Sequence, residues 1–368
     1  MDSIFTDLHA KRVQSLANYA TGVMHASSAT IHTVGAAYAE VAHIKPKSGI
    51  KQVDRYLSNK GIDVEALTPC WAQFVTGSRP ELLVALDWTE FQSDDQTTLC
   101  AYVVTTHGRA TPLCWQSYRK SSLTDGKRTE AEHAFVDRLA RAIPSNVGLT
   151  LLADRGFGSK DLYETLRLLG WDFVIRFRTS ILVEHGDVRQ PVQDWLAPSG
   201  RAKKLRGATV TADAYEVGAV VVVRRKAMKQ AWYLVTSMAS KTASAIIKLY
   251  GRRFTIEETF RDQKDLHFGM GLSATHIRSP ARRDRLLMLL AIAQALLTLL
   301  GAASERTGMD AYLKANTVKR RTHSLFRQGS YWYRCLPTMR DEWFEPLMAA
   351  FEEILSEHRY MHEILGVI

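Results

Sequence analysis

Leu82-Leu83-Val84-Ala85-Leu86-Asp87 is an unbroken apolar run closed by an acid, and the fold class follows from it. Five successive apolar residues without polar alternation predict a short strand buried on both faces. Buried strands end where a polar residue can meet solvent, so Asp87 is placed at a strand terminus.

Downstream, Leu99 to Thr106 and Ala110 to Trp115 read as two further strands separated by the turn-forming Gly108. Glu130 to Ile143 has helical spacing, with Ala131, Phe135, Leu139 and Ala142 on one side and Pro144 as its stop. Leu149 to Ala153 is a fourth strand, closed by Asp154-Arg-Gly-Phe-Gly. A helix from Lys160 to Leu169 ends at Gly170, and Trp171 to Phe177 is a fifth strand. Three strands, helix, strand, helix, strand predicts an α/β fold with a mixed sheet flanked by helices. It is also the element order of the ribonuclease H-like fold.

Texture divides the chain further. Residues 1–80 read as short alanine-rich helices ending in the basic segment Lys45-Pro-Lys-Ser-Gly-Ile-Lys51, a helical N-terminal unit suited to DNA. Residues 81–178 hold the first part of the core. Residues 179–237 carry Val-, Tyr- and Trp-rich runs at 209–211, 215–224 and 232–236 and read as a β-rich insertion. Residues 238–275 resume the core as helix, and 276–368 form a helical C-terminal region.

Lysine plus arginine exceed aspartate plus glutamate by 48 to 38, a formal charge of +10. Such an excess serves solubility or a polyanionic partner, since neutralising phosphates releases counterions. Cys70, Cys100, Cys114 and Cys335 show no metal-ligand or disulfide spacing, which fits a reducing cytoplasm. Met1-Asp2-Ser3 opens no secretion signal. Leu286 to Ala303 approaches membrane-span length, but Gln294, Thr298 and the arginines at 278, 282, 283 and 285 favour a buried core helix.

Asp87 and Asp154 both terminate predicted strands. Each alone fits an ordinary turn-forming aspartate. Together, on neighbouring strands, they could hold hard cations for phosphodiester chemistry, in which two Mg²⁺ ions ~4 Å apart activate water and stabilise the leaving oxygen.

A third acid lies in Leu249-Tyr-Gly-Arg-Arg-Phe-Thr-Ile-Glu-Glu-Thr-Phe-Arg-Asp-Gln-Lys264. Wound at about 100° per residue, Tyr250, Arg253, Glu257, Arg261 and Lys264 share one stripe, beside an apolar stripe of Leu249, Ile256 and Phe260. The acid suits metal and the bases suit phosphate. A solvated face with an ion pair between Glu257 and Arg253 or Arg261 fits the charges too.

With two, three and six intervening residues, Tyr250, Arg253, Glu257 and Lys264 resemble the Y-R-E-K signature of the IS4 family of bacterial insertion-sequence transposases. Ile256-Glu-Glu-Thr-Phe-Arg-Asp262 with Lys264 resembles its IS10 (Tn10) branch, related to Tn5 transposase. So do Asp87-Trp88, His107-Gly-Arg109, Ser145-Asn146 and Lys51-Gln-Val-Asp-Arg55. Phe254 departs from the tryptophan of the Tn5 branch, and the chain is shorter than larger family members.

The resemblance implies a ribonuclease H-like core interrupted by a β insertion, with Asp87, Asp154 and Glu257 as a catalytic, metal-binding triad for two Mg²⁺, with Mn²⁺ as a substitute. It implies DNA contacts by Tyr250, Arg253, Lys264 and Trp232, the last stacking beside an extruded base. Arg261 joins these by its stripe position, and Trp88 is a second stacking candidate. Core packing explains Trp232 equally well.

The implied function is cut-and-paste DNA transposition through a hairpin. A homodimer, joined through the C-terminal region, would act on transposon-end and target DNA in the bacterial cytoplasm near the nucleoid, with no membrane and no small-molecule substrate. A catalytically silent, transposase-derived DNA-binding protein or inhibitor, and a stand-alone nuclease, are the other readings.

Overall fold

The computed structural model describes residues 1, 4–5, 8–124, 126–226, 228–267, 269–357 and 364–366. Asp2 and Ser3 of the N-terminal reading, and 358–363 and 367–368 of the C-terminal region, lie outside them.

Helices α1 (Ala10–Ala26), α2 (Ile31–Val41), α3 (Pro46–Ser58) and α4 (Val64–Thr76) precede the first strand. Helices α2 and α3 approach closely because Gly35 lies against the Ile50 backbone and Gly49 against Gly35, leaving no room for a Cβ on either.

Strands β1 (Glu81–Phe91), β2 (Gln96–Val104) and β3 (Ala110–Arg119) follow as an antiparallel meander. Next come α5 (Lys127–Ala142), β4 (Gly148–Ala153), α6 (Lys160–Leu168) and β5 (Asp172–Arg176). β1 pairs with β4, and β4 with β5, in parallel. This is the expected mixed sheet, in the expected order.

Residues 179–237 are β-rich, as read, but they divide between two sheets. The elements are β6 (Leu182–His185), β7 (Val188–Pro191), β8 (Lys203–Arg206), β9 (Thr209–Val210), β10 (Tyr215–Glu216), β11 (Ala219–Val223) and β12 (Trp232–Thr236). β12, β11 and β8 extend the central sheet, whose order is β3-β2-β1-β4-β5-β12-β11-β8, while β10-β9-β6-β7 form a small separate sheet. Pairing Val174–Arg176 with Leu234–Thr236 covers what would otherwise be an open parallel edge. The apolar run at 215–224 divides between β10 and β11 at Gly218, where a Cβ would strike the Ser237 carbonyl.

Helices α7 (Ala243–Gly251), α8 (Thr255–Lys264), α9 (Pro280–Arg306), α10 (Leu325–Cys335) and α11 (Asp341–Ser356) complete the chain. α9 contains the apolar run read as a core helix. It is long and apolar enough to cross a membrane, but 94% of that window is buried within the fold. Gly301 of α9 and Gly329 of α10 let the two helices meet backbone to backbone.

Candidate active site

Successive side chains of a strand alternate between faces. On β1 this sends Asp87 and Thr89 toward α8, and Trp88 toward α5. The indole Nε1 of Trp88 donates to Glu132 of α5 at 2.7 Å, and Arg128 lies over its ring at 4.8 Å. Trp88 is therefore on the sheet face opposite its neighbouring acid.

Asp87 and Asp154 stand side by side. The last registered pair of the β1–β4 ladder is Leu86 with Ala153, so each acid is the next residue on adjacent parallel strands. Asp154 then begins the tight turn Arg155–Phe157.

Glu257 comes from α8. The stretch 249–264 is not one helix as expected, because Arg252–Phe254 forms a 3₁₀ turn between α7 and α8. The tighter winding rotates Tyr250 and Arg253 relative to an ideal α stripe. Tyr250 is fully buried and its hydroxyl donates to Asp154 Oδ1 at 3.4 Å.

The Arg253 guanidinium, only 3% exposed, lies between two acids. Its Nη1 donates to Asp87 Oδ2 at 2.8 Å and its Nη2 to Glu257 Oε1 at 2.6 Å. The ion pair between Glu257 and Arg253 weighed from the sequence thus forms, but as part of a cluster with Asp87.

Electrostatics follow from that placement. Burial pushes the Asp87 pKa up to about 6, against the pull of Arg253 and the Trp88 N–H, with Asp154 and Glu257 adding to the rise. Burial opposes the charge of Arg253, but Tyr250, Asp87, Glu257 and Asp154 outweigh it and raise its pKa. Burial lifts Tyr250 to about 12. One buried guanidinium facing three carboxylates leaves a deficit of positive charge.

The all-oxygen donor set and that deficit suit a hard divalent cation. Among the described residues, however, no three His, Cys, Asp or Glu side chains are already gathered in a metal-holding group. Arg253 takes up the acid oxygens instead.

The remaining expected residues divide. The Trp232 ring meets Tyr250 edge-on at 4.9 Å and Phe254 at 5.8 Å, with part of its surface open. Lys264 Nζ donates to the Glu90 carbonyl at 2.7 Å and to Thr89 Oγ1 at 3.2 Å, and burial lowers its pKa. Arg261 points outward to Glu258 at 2.9 Å and does not join the acids.

Buried polar groups tie α8 down. The Ala110 N–H donates to Thr259 Oγ1 at 2.7 Å, Tyr102 donates to Gln263 Oε1 at 3.1 Å, and Gln263 Nε2 donates to Gln294 Oε1 at 3.0 Å. Arg109 pairs with Asp262 on the same helix. Lone polar residues on apolar faces are the sequence signal for such anchors, but their partners lie up to 161 positions away.

A basic cleft of about 710 Å³ reaches Arg155, the residue after Asp154, and is lined also by Arg176, Arg178, Arg224 and Lys229 and by no carboxylate. Sequence reasoning passed over these residues. The Arg176-Phe-Arg178 alternation, which places both arginines on one side of an extended chain, was the available signal.

A large mixed sheet flanked by helices, with acids meeting beside its parallel strands, is compatible with the ribonuclease H-like domains that cut and rejoin DNA. Residues 80–296 match the family model described as a transposase DDE domain, and the chain belongs to that family. It is a DDE transposase, with DNA as its partner. DDE transposases generally use divalent metal ions. No curated protein matches the chain.

Proposed function

We propose that this chain is the cut-and-paste transposase of an insertion sequence, an IS4-family member nearest the IS10 branch and related to Tn5 transposase. The observation that carries this reading is Arg253 bridging Asp87 and Glu257 while Tyr250 holds Asp154, the residue before Arg155 of a basic cleft lined by no carboxylate.

In this reading Asp87, Asp154 and Glu257 hold two Mg²⁺ ions, or Mn²⁺ in their place. When bound, such ions stabilise charge on the phosphoryl oxygens and lower the pKa of the attacking water. Tyr250 fixes the Asp154 carboxylate through its hydroxyl. Arg253 and Lys264 bind backbone phosphates, and Arg155, Arg176, Arg178, Arg224 and Lys229 carry the strand onward. Trp232 stacks on a base turned out of the duplex, with Tyr250 and Phe254 bracing its ring.

Hydrolysis of one strand frees a 3′ hydroxyl, which attacks a phosphodiester of the opposite strand; the hairpin forms as the 3′ oxygen of the flanking DNA leaves, and its hydrolysis precedes attack on target DNA. Residues 1–80 bind DNA, residues 276–368 join two copies, and the enzyme acts in the cytoplasm at the nucleoid. All three acids are present in the chain, which favours this reading over a silent DNA-binding inhibitor.

Incubating the purified chain with candidate end DNA and Mg²⁺, then resolving the products on a denaturing gel, tests it. Hairpins are expected. Nicks without hairpins would leave a nuclease, and bound but uncut DNA would leave a binder.

A further inference from the structure

We propose that Arg253 acts as an exchangeable counter-ion, closing the acid site to divalent cations until a DNA phosphate draws its guanidinium away. The proposal rests on reading Asp87, Asp154 and Glu257 as the cation-binding acids, and it adds an order of binding, DNA before metal.

The oxygens of Asp87 carry the argument. Oδ1 accepts the Trp88 N–H at 2.9 Å, and Oδ2 accepts Arg253 Nη1 at 2.8 Å. Neither is left without a donor. On Glu257, Oε1 accepts Arg253 Nη2 at 2.6 Å. A cation bridging these acids must displace a guanidinium hydrogen-bonded to both, and its own charge repels that guanidinium at close range.

Arg253 cannot leave without a new anion. At 3% exposure it is a buried charge, costly to leave unpaired. The rings of Phe254 and Tyr250 lie 5.0 and 5.9 Å from its guanidinium carbon and limit where it can go. A phosphodiester offers paired oxygens that match the planar fork. Once Arg253 turns to phosphate, Asp87 is a buried carboxylate without its cation, and a divalent ion restores the balance. Cation loading then follows substrate, which keeps the DNA-free protein from holding an armed site.

The test follows Mn²⁺ by the electron paramagnetic resonance of the free ion. It compares the full chain as wild type, Arg253→Gln, Arg253→Lys, Asp87→Asn and the double variant Arg253→Gln/Asp87→Asn. Without DNA, R253Q should bind Mn²⁺ about tenfold or more tighter than wild type, since charge-assisted hydrogen bonds no longer compete. The gain should vanish in the double variant. R253K, whose single ammonium cannot fork across both acids, should lie between, and it serves if R253Q folds poorly. Adding a mixed-sequence duplex, with binding checked by anisotropy, should tighten Mn²⁺ binding to wild type and leave R253Q nearly unchanged.

Equal Mn²⁺ affinity in wild type and R253Q, both weakened by D87N, would overturn the exchange while keeping the acids as the cation site. Mn²⁺ binding indifferent to D87N would overturn the acid-site reading and the proposal with it. A bound duplex that leaves wild-type Mn²⁺ affinity unmoved would overturn the order of binding.

Discussion

Tyr250 and Asp154, 96 positions apart, meet through a hydroxyl-to-carboxylate hydrogen bond of 3.4 Å beneath the edge of the Trp232 ring. A phenol without solvent exposure needs an acceptor, and this one finds it in the Asp154 carboxylate, which the contact in turn orients. The hydrogen bond links the acid pair on β1 and β4 to the aromatic group, so chemistry and base capture would share one support.

Glu257→Gln should abolish cleavage while leaving DNA binding largely intact, because the amide keeps the volume but cannot ligate metal as an anion. Arg253 is buried but keeps Asp87 as its counter-charge, and the amide oxygen can still accept from it, so the loss of stability should be modest. A gel assay, a filter-binding assay and a urea melt check the three parts. Near wild-type cutting would remove Glu257 from the catalytic group.

Trp232→Ala should slow hairpin formation more than first-strand nicking. Removing the stack costs about 1–3 kcal/mol, or roughly 5- to 150-fold in rate if felt at one step. A substrate abasic at the extruded position should regain much of that rate. If the ring only braces Tyr250, nicking and hairpin formation should fall together, with a lower melting temperature and no abasic rescue.

Arg178→Ala and Arg224→Ala test the basic cleft. Each should weaken DNA binding and make the dependence of log affinity on log salt shallower, by about one unit for every phosphate that the variant no longer neutralises. Salt titrations that superimpose on wild type would show that the cleft does not carry the backbone.

Asp284 gives the fold a pH dependence apart from the acid site. Burial raises its pKa to about 7, against hydrogen bonds from Ser117. Its folded pKa lies above the unfolded value near 3.9, so the folded state binds the extra proton. The stabilisation is complete below pH ~4 and is lost as pH rises through about 7, at up to about 1.4 kcal/mol per unit. Asp284→Asn should flatten that slope in urea melts across the window. An unchanged slope would place the pH dependence elsewhere.

Gly329→Ala should destabilise by at least about 1–3 kcal/mol, because the new methyl would collide with the Leu297 carbonyl of α9. Gly308→Ala, at a site with open space but a φ of +74°, should cost about 1 kcal/mol from backbone strain alone. Denaturant midpoints separate the two, and G329A as mild as G308A would mean that the helices part easily.

Local structure was legible in the residues alone. An apolar run closed by Asp87 and another closed by Asp154 predicted two buried strands ending in acids, and those strands are parallel neighbours; Asp154 does follow the end of β4, but β1 runs on past Asp87 to Phe91 because its pairing with β2 continues there. The spacing from Tyr250 to Lys264 placed Glu257 on a helix, whereas Trp88, offered as a second stacking candidate, lies against α5 on the face opposite Asp87. Tertiary structure decided what depends on distant partners. It routed three of the seven strands of residues 179–237 into the central sheet, because the edge of β5 needed a strand and β12 supplied one from about 60 positions away. It also set Arg253 between Asp87 and Glu257: a charge enters a core only where the fold brings it a counter-charge, and one of these acids lies 166 positions from the arginine.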